Sequence, residues 1–187
     1  MGFTLIKKQT ISSSQSSIDF INGTSDVVFD STYTTYMFLC ENLTGSGGEL
    51  PLYSRVTTDG STWDAIYGNF EPATPRTYAD GAFTTTDHEG QLNNNYCQIG
   101  AFAGSMSEAT LSLVLYFFAP ASTSKYKLMF SNLTGIGDNS PAGHWLTYGQ
   151  FGNFTWKTTS AITGVRFYEN SGTLEGGDIS LFGLKTS

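Results

Sequence analysis

Two histidines, His88 in a polar stretch and His144 just before Trp145, are the only imidazoles in the chain. Neither stands at metal-ligand spacing from the other or from Cys40 or Cys97, so zinc chemistry and a histidine general base both lack partners. Each reads as an ordinary solvated or hydrogen-bonded histidine. Asp59, Asp64, Asp87 and Glu89 carry the hard oxygens that calcium accepts, yet a turn aspartate at Asp59-Gly60 needs no metal. Glycoside hydrolysis needs a pair of carboxylates, and no spacing selects one. A nucleophile elbow, a phosphate loop and a dinucleotide fingerprint are all missing. The sequence therefore points to no catalytic residue, no metal and no cofactor. What remains is aromatic. Trp63, Tyr67, Trp145, Tyr148 and Trp156 fall near expected strand ends, where such rings plug the end of a β-fold or stack on a sugar or a partner subunit.

The elements that must position them are strands. Charged residues make up only 13% of the 187-residue chain, while 14 Phe and 10 Tyr raise the aromatic share to 14%. Serine and threonine together are about a quarter, which suits solvated strand faces and turns. A chain of this length fills a single all-β sandwich, residues 1–187, with a core that needs no staples. Cys40 and Cys97 lie in strand-like runs and read as buried free thiols, a disulfide between them being possible but unneeded. The net charge of −7 and pI near 4.6, with no basic patch beyond Lys7-Lys8, argue against a nucleic acid or an anionic membrane as partner. No apolar run reaches the length of a membrane span; the longest, Leu111 to Ala119, is a strand. The N-terminus carries no signal-peptide pattern, so synthesis and folding in a reducing cytoplasm are expected. Four Asn-x-Ser/Thr triplets, at Asn22, Asn42, Asn132 and Asn153, are at the number such a composition produces by chance.

In chain order, strands are expected at Phe3 to Ile11, Ser16 to Ile21, Tyr33 to Leu43 and Glu49 to Thr57. The Asp59-Gly60 hairpin then returns as Ser61 to Tyr67. Residues 1–17 also have the serine content of an arm that reaches a neighbour. Residues 69–95 have proline breaks and little periodicity; they read as a long ordered excursion with room for one short strand. Strands resume at Tyr96 to Phe102, Ala109 to Phe118, Tyr126 to Leu133 and Trp145 to Thr155. The chain closes with Ile162 to Lys185, where Val165 and Phe167 alternate with Arg166 and Tyr168, and Ile179 and Leu181 with Ser180 and Phe182. This reads as a final hairpin whose core face is Val165, Phe167, Ile179 and Leu181. Helix is expected in less than about a tenth of the chain.

One internal similarity is present. Tyr36 to Gly47 and Tyr126 to Gly137 share a leading tyrosine, the tetrapeptide Asn-Leu-Thr-Gly and a following glycine. Two equivalent strand-turn units suggest a sandwich of two Greek keys.

The closing segment is similar to a recurrent C-terminal hairpin of small virion proteins of tailed bacteriophages, especially phages of aquatic bacteria. Val165-Arg166-Phe167, Ser171-Gly172 and the run Gly177 to Gly183 carry the likeness, with Val165 where isoleucine is commoner. Thr57 to Asp64 resembles the central hairpin of that family, and Tyr36 to Leu43 its tyrosine-started strand. The resemblance implies an antiparallel β-sandwich of jelly-roll type in a phage particle, and leaves head and tail both open. On the head, the expectation is a capsid decoration or cement protein without enzymatic activity. It would be a homo-oligomer, most simply a homotrimer, bound to the major capsid protein or other virion proteins. Residues 69–95 and the N-terminal segment are the expected contacts. On the tail, the alternative is a fibre or receptor-binding module whose aromatics stack on a host surface glycan.

Overall fold

The computed structural model describes residues 2–46, 50–65, 67–71, 74–78, 83–86, 97–102, 109–138 and 145–185. In chain order the first half contains β1 (Gly2–Ile11), β2 (Ser17–Ile21), β3 (Thr35–Gly45), β4 (Leu50–Thr57), β5 (Asp64–Ala65), β6 (Tyr67–Glu71) and β7 (Thr74–Tyr78). The second half contains β8 (Phe83–Thr86), β9 (Cys97–Phe102), β10 (Thr110–Phe118), β11 (Lys127–Asp138), β12 (Trp145–Trp156), β13 (Gly164–Glu169) and β14 (Leu174–Lys185). No helix occurs among the described residues. The fold is an all-β sandwich of two antiparallel sheets.

The larger sheet has the order β1-β14-β3-β10-β11-β12-β7-β8, with β6 also on β12. The smaller has the order β2-β13-β4-β5, with β9 also on β4. Consecutive strands often cross between the sheets: β1 and β2, β3 and β4, β9 and β10, β13 and β14 are each divided this way. Period-2 alternation supplies the inner faces. Tyr36, Phe38, Leu111, Leu113, Leu115, Phe117, Ile179 and Leu181 from the larger sheet meet Phe20, Leu52, Val56, Val165 and Phe167 from the smaller. The expected core face of Val165, Phe167, Ile179 and Leu181 is wholly buried.

The closing segment is not a hairpin. β13 pairs with β2 and β4, whereas β14 pairs with β1 and β3. Its two runs do face each other, but across the core rather than along one sheet. Gly176 and Gly177 lie inside β14, where its register against β3 shifts. Gly177 has φ +105°, and a Cβ there would stand 2.7 Å from the carbonyl oxygens of Glu41 and Asn42. Both the backbone angle and the close approach call for glycine.

The two Asn-Leu-Thr-Gly copies are also strand and not turns, one the last four residues of β3 and the other inside β11. They lie on β3 and β11, which flank β10 on either side. Asn42 adopts φ +52° and donates its backbone N–H to Ser112 Oγ at 3.0 Å, within a bulge against β10. Asn132 pairs in regular register with Val114 and Phe151. The bulge reverses the facing of everything before it. Tyr36 and Phe38 point into the core, while the matching Tyr126 and Leu128 are exposed. Sequence likeness here does not make structural equivalents.

Residues 2–11, read from sequence both as a first strand and as part of an arm, form β1 along β14. The stretch 69–95 carries more strand than expected: the end of β6, then β7, which docks on β12, and β8, which pairs with β7. Residues 72–73, 79–82 and 87–95 lie outside the described residues.

Candidate functional site

The Asp59-Gly60 turn shows how its carboxylate is used. Asp59 Oδ1 accepts the N–H groups of Ser61 and Thr62 at 2.7 Å each, and the Thr57 hydroxyl at 3.0 Å. Those bonds, the backbone donors first, hold its pKa well below the ordinary carboxylate range. This Asx-type turn delivers Trp63 to the outer face of the smaller sheet. There the guanidinium of Arg166 lies 4.3 Å from the Trp63 ring centroid. The same guanidinium donates Nε–H to Asp19 Oδ1 at 2.7 Å and Nη2–H to Oδ2 at 2.6 Å, a bidentate pair between β13 and β2. The Asp19 bonds hold the Arg166 pKa above its ordinary value against the opposing effect of burial. Next along the face, Arg55 lies 5.1 Å from the Tyr168 ring, which packs on Tyr53 at 5.6 Å. One face of Trp63 is therefore occupied by the protein's own cation, which leaves a ligand at most the other.

The remaining sequence candidates do not gather around Trp63. Trp156 is 4% exposed and plugs the end of the core, with Lys127 Nζ 6.0 Å from its ring. Tyr67 on β6 pairs in register with Thr155, at one end of β12, and Trp145 stands at the other end. Their backbones are separated by about 33 Å at ordinary strand rise. Tyr148 lies on β12 opposite Gly135. The side chains of Tyr67, Trp145 and Tyr148 fall outside the described residues, as does that of Cys97. Cys40 is a buried free thiol, and burial pushes its pKa far above the usual thiol value. Among the described residues no three His, Cys, Asp or Glu side chains converge as a metal site, and no helix is long and apolar enough to cross a membrane.

A larger feature was missed by the sequence reading. On the outer face of the larger sheet, Leu5, Phe182, Met37, Tyr116 and Phe130 form one cross-strand row from β1 to β11. A parallel row runs Phe3, Leu184, Thr35, Phe118, Leu128. Phe3, Leu5, Phe118, Tyr126, Leu128 and Phe151 are between 43% and 60% exposed, and all sit on or at the edge of this face. A groove of about 520 Å3 crosses it between β3, β10 and β11, bordered by Leu39, Val114, Tyr116, Phe130 and Asn132. The signal in the sequence was TLSLVLYFF, the apolar run of β10. It reads as a strand buried on both sides. Its inner positions are indeed in the core, but its outer positions face outward uncovered.

At the crossing from β13 to β14 a buried carboxylate titrates. Glu169 is 6% exposed, and desolvation raises its pKa above the ordinary 4.5, with Glu175 adding to this and a Ser46 backbone bond opposing it. The folded state therefore binds this proton more tightly than the unfolded chain. Stability from this site is fully present below the unfolded pKa and is lost as pH rises through the folded one. Glu169→Gln is expected to raise the melting temperature at neutral pH and to change it little in acid. Thermal melts of both proteins across that range check this; a difference independent of pH would show that Glu169 is not the titrating group.

No protein-family model, no curated protein and no solved structure matches the chain.

Proposed function

We propose that this chain is a structural protein of a tailed-bacteriophage virion, a jelly roll that decorates or cements the head as a homo-oligomer. The observation that carries this reading is the apolar outer face of the larger sheet. Monomeric soluble proteins rarely leave contiguous apolar surface of more than a few hundred Å2 uncovered. A subunit built to be covered by protein does. The strand order supports the jelly-roll part. β1-β14-β3-β10 stacked on β2-β13-β4-β9 is the order expected of two interlocked Greek keys, with β5–β8 and β11–β12 as additions. The motifs similar to phage virion proteins support the setting: Val165-Arg166-Phe167 and Ile179 to Gly183 are central strands of the two sheets. The chain acts without catalysis or cofactor, has the major capsid protein or another virion protein as its partner, and joins the particle in the host cytoplasm.

Purified protein mixed with undecorated capsids is expected to co-sediment with them and to raise their resistance to heat. A chain that ignores capsids but binds host-cell polysaccharide overturns this in favour of the tail. That second reading is favoured by one observation, the ordered Trp63 beside Arg166 on the smaller sheet, since aromatic rings flanked by fixed polar groups suit sugar recognition.

A further inference from the structure

We infer that the outer face of the larger sheet is covered by a second copy of this same chain, the two faces meeting about a twofold axis, so that this contact builds a dimer or an even-numbered oligomer in place of the trimer expected from the sequence. This rests on the reading of the protein as a subunit of an assembly and names the occupant of that surface. Of the expected contacts, the N-terminal segment contributes Phe3 and Leu5 of β1 to this face, and residues 69–95 are not needed for it.

Charge selects the occupant. Each copy carries a net charge of −7, so two copies repel wherever acidic surfaces approach. Along three outward positions of β14, β3, β10, β11 and β12 no residue is charged. On β1 only Lys8 falls at the edge, and it is paired with Asp178 at 3.0 Å. Copies can meet here without burying an unpaired charge.

Shape makes the same selection. A contact between identical surfaces must carry both its projections and the hollows that receive them. This face has both: Phe118, Leu128 and Phe151 project, and the 520 Å3 groove is lined by their strand neighbours Tyr116, Phe130 and Asn132. Size is sufficient as well. Six strands about 4.8 Å apart and three outward positions per strand give roughly 600 Å2 of plane, or on the order of 1,200 Å2 for two copies, which reaches the range of stable specific interfaces.

The test is the mass of the full-length chain by size-exclusion chromatography with light scattering, for wild type, Leu128→Asp, Phe118→Asp and the control Ser124→Asp. All of these positions are exposed. Wild type and S124D are expected to be oligomers of one mass, and L128D and F118D to be monomers with an unchanged far-ultraviolet circular dichroism spectrum. Should the aspartates disturb folding, Leu128→Cys treated with a short bismaleimide is expected to give covalent dimers that wild type does not. A wild-type monomer, an L128D that keeps the wild-type mass, or a Leu128→Cys protein that does not crosslink overturns the inference. Capsid binding is scored separately. An oligomer assembled through this face that ignores capsids sustains the inference and removes the head assignment. A wild-type monomer whose capsid binding is abolished by L128D gives the face to the capsid and overturns the inference, while the head assignment stands.

Discussion

Replacing Phe38 by alanine is expected to cost about 3–5 kcal/mol, a large part of the stability of an ordinary domain. Phe38 is fully buried at the centre of β3, and its ring is the meeting point of the two sheets. Its centroid lies 4.9 Å from Phe167 and 5.1 Å from Phe20 on the smaller sheet, and 5.7 Å from Phe117 beside it, each edge to face. Phe29, in the connection between β2 and β3, closes the group at 6.2 Å. Truncation removes the transfer energy of the ring and leaves a hollow whose walls belong to four other elements. Those walls cannot collapse together without moving both sheets. Phe38→Leu keeps most of the volume and is expected to cost less than about 1.5 kcal/mol, apart from the edge-to-face geometry. Urea denaturation of both variants measures the difference. A loss below about 1 kcal/mol for alanine would mean that the aromatic cluster repacks and does not hold the sandwich together.

What could be read from sequence was whatever depends on alternation. Val165, Phe167, Ile179 and Leu181 were assigned to the core from period 2 alone, because a strand's inward face is set by its own residues. Pairing was not legible. β13 and β14 are joined by four residues with Ser171 and Gly172 among them, and short polar connections of that kind ordinarily close hairpins. Here the same connection crosses from one sheet to the other, a choice made by β2, β3 and β4, which are distant in sequence. Asn42 was hidden for a related reason. Nothing in Asn-Leu-Thr-Gly distinguishes the copy that bulges from the copy that runs straight; β14 and its Gly177 beside Asn42 do. Among the site candidates, the Asp59 turn was legible because its hydrogen bonds are local, and Arg166 as the partner of Trp63 was not, since 103 positions separate them. The uncovered apolar face was the hardest to see. A sequence records that β10 is apolar on both faces, but it does not record that one of them is left without a covering layer.

Lys127→Met is expected to cost about 2–3 kcal/mol, although it removes a charge from the interior. Lys127 is fully buried on the inward side of β11, the side occupied by Met129, Ser131 and Leu133. Its ammonium donates to the carbonyl oxygens of Ser122 at 2.6 Å, Lys125 at 2.9 Å and Thr159 at 3.2 Å, and lies 6.0 Å from the Trp156 ring. Burial lowers its pKa from the ordinary 10.5, so the site does carry a desolvation penalty. With the folded value depressed, that penalty is present in full at neutral pH, where both states hold the proton, and is relieved only as pH rises toward 10.5. Against it stand three charge-assisted hydrogen bonds that tie the turn after β10 to the segment after β12. Methionine matches the stem but has no donor, so the three carbonyls lose their shared partner at once. Lys125 and Thr159 are exposed residues, so their carbonyls need only a local shift to bond water once the ammonium is gone; this keeps the expected loss well below the sum of three charged bonds. Denaturant unfolding at neutral pH gives the magnitude, and faster amide exchange in residues 119–126 is expected to accompany it. If Lys127→Met were instead neutral or stabilising, the ammonium's desolvation would outweigh its three bonds, and the lysine would serve to specify this packing at a cost in stability.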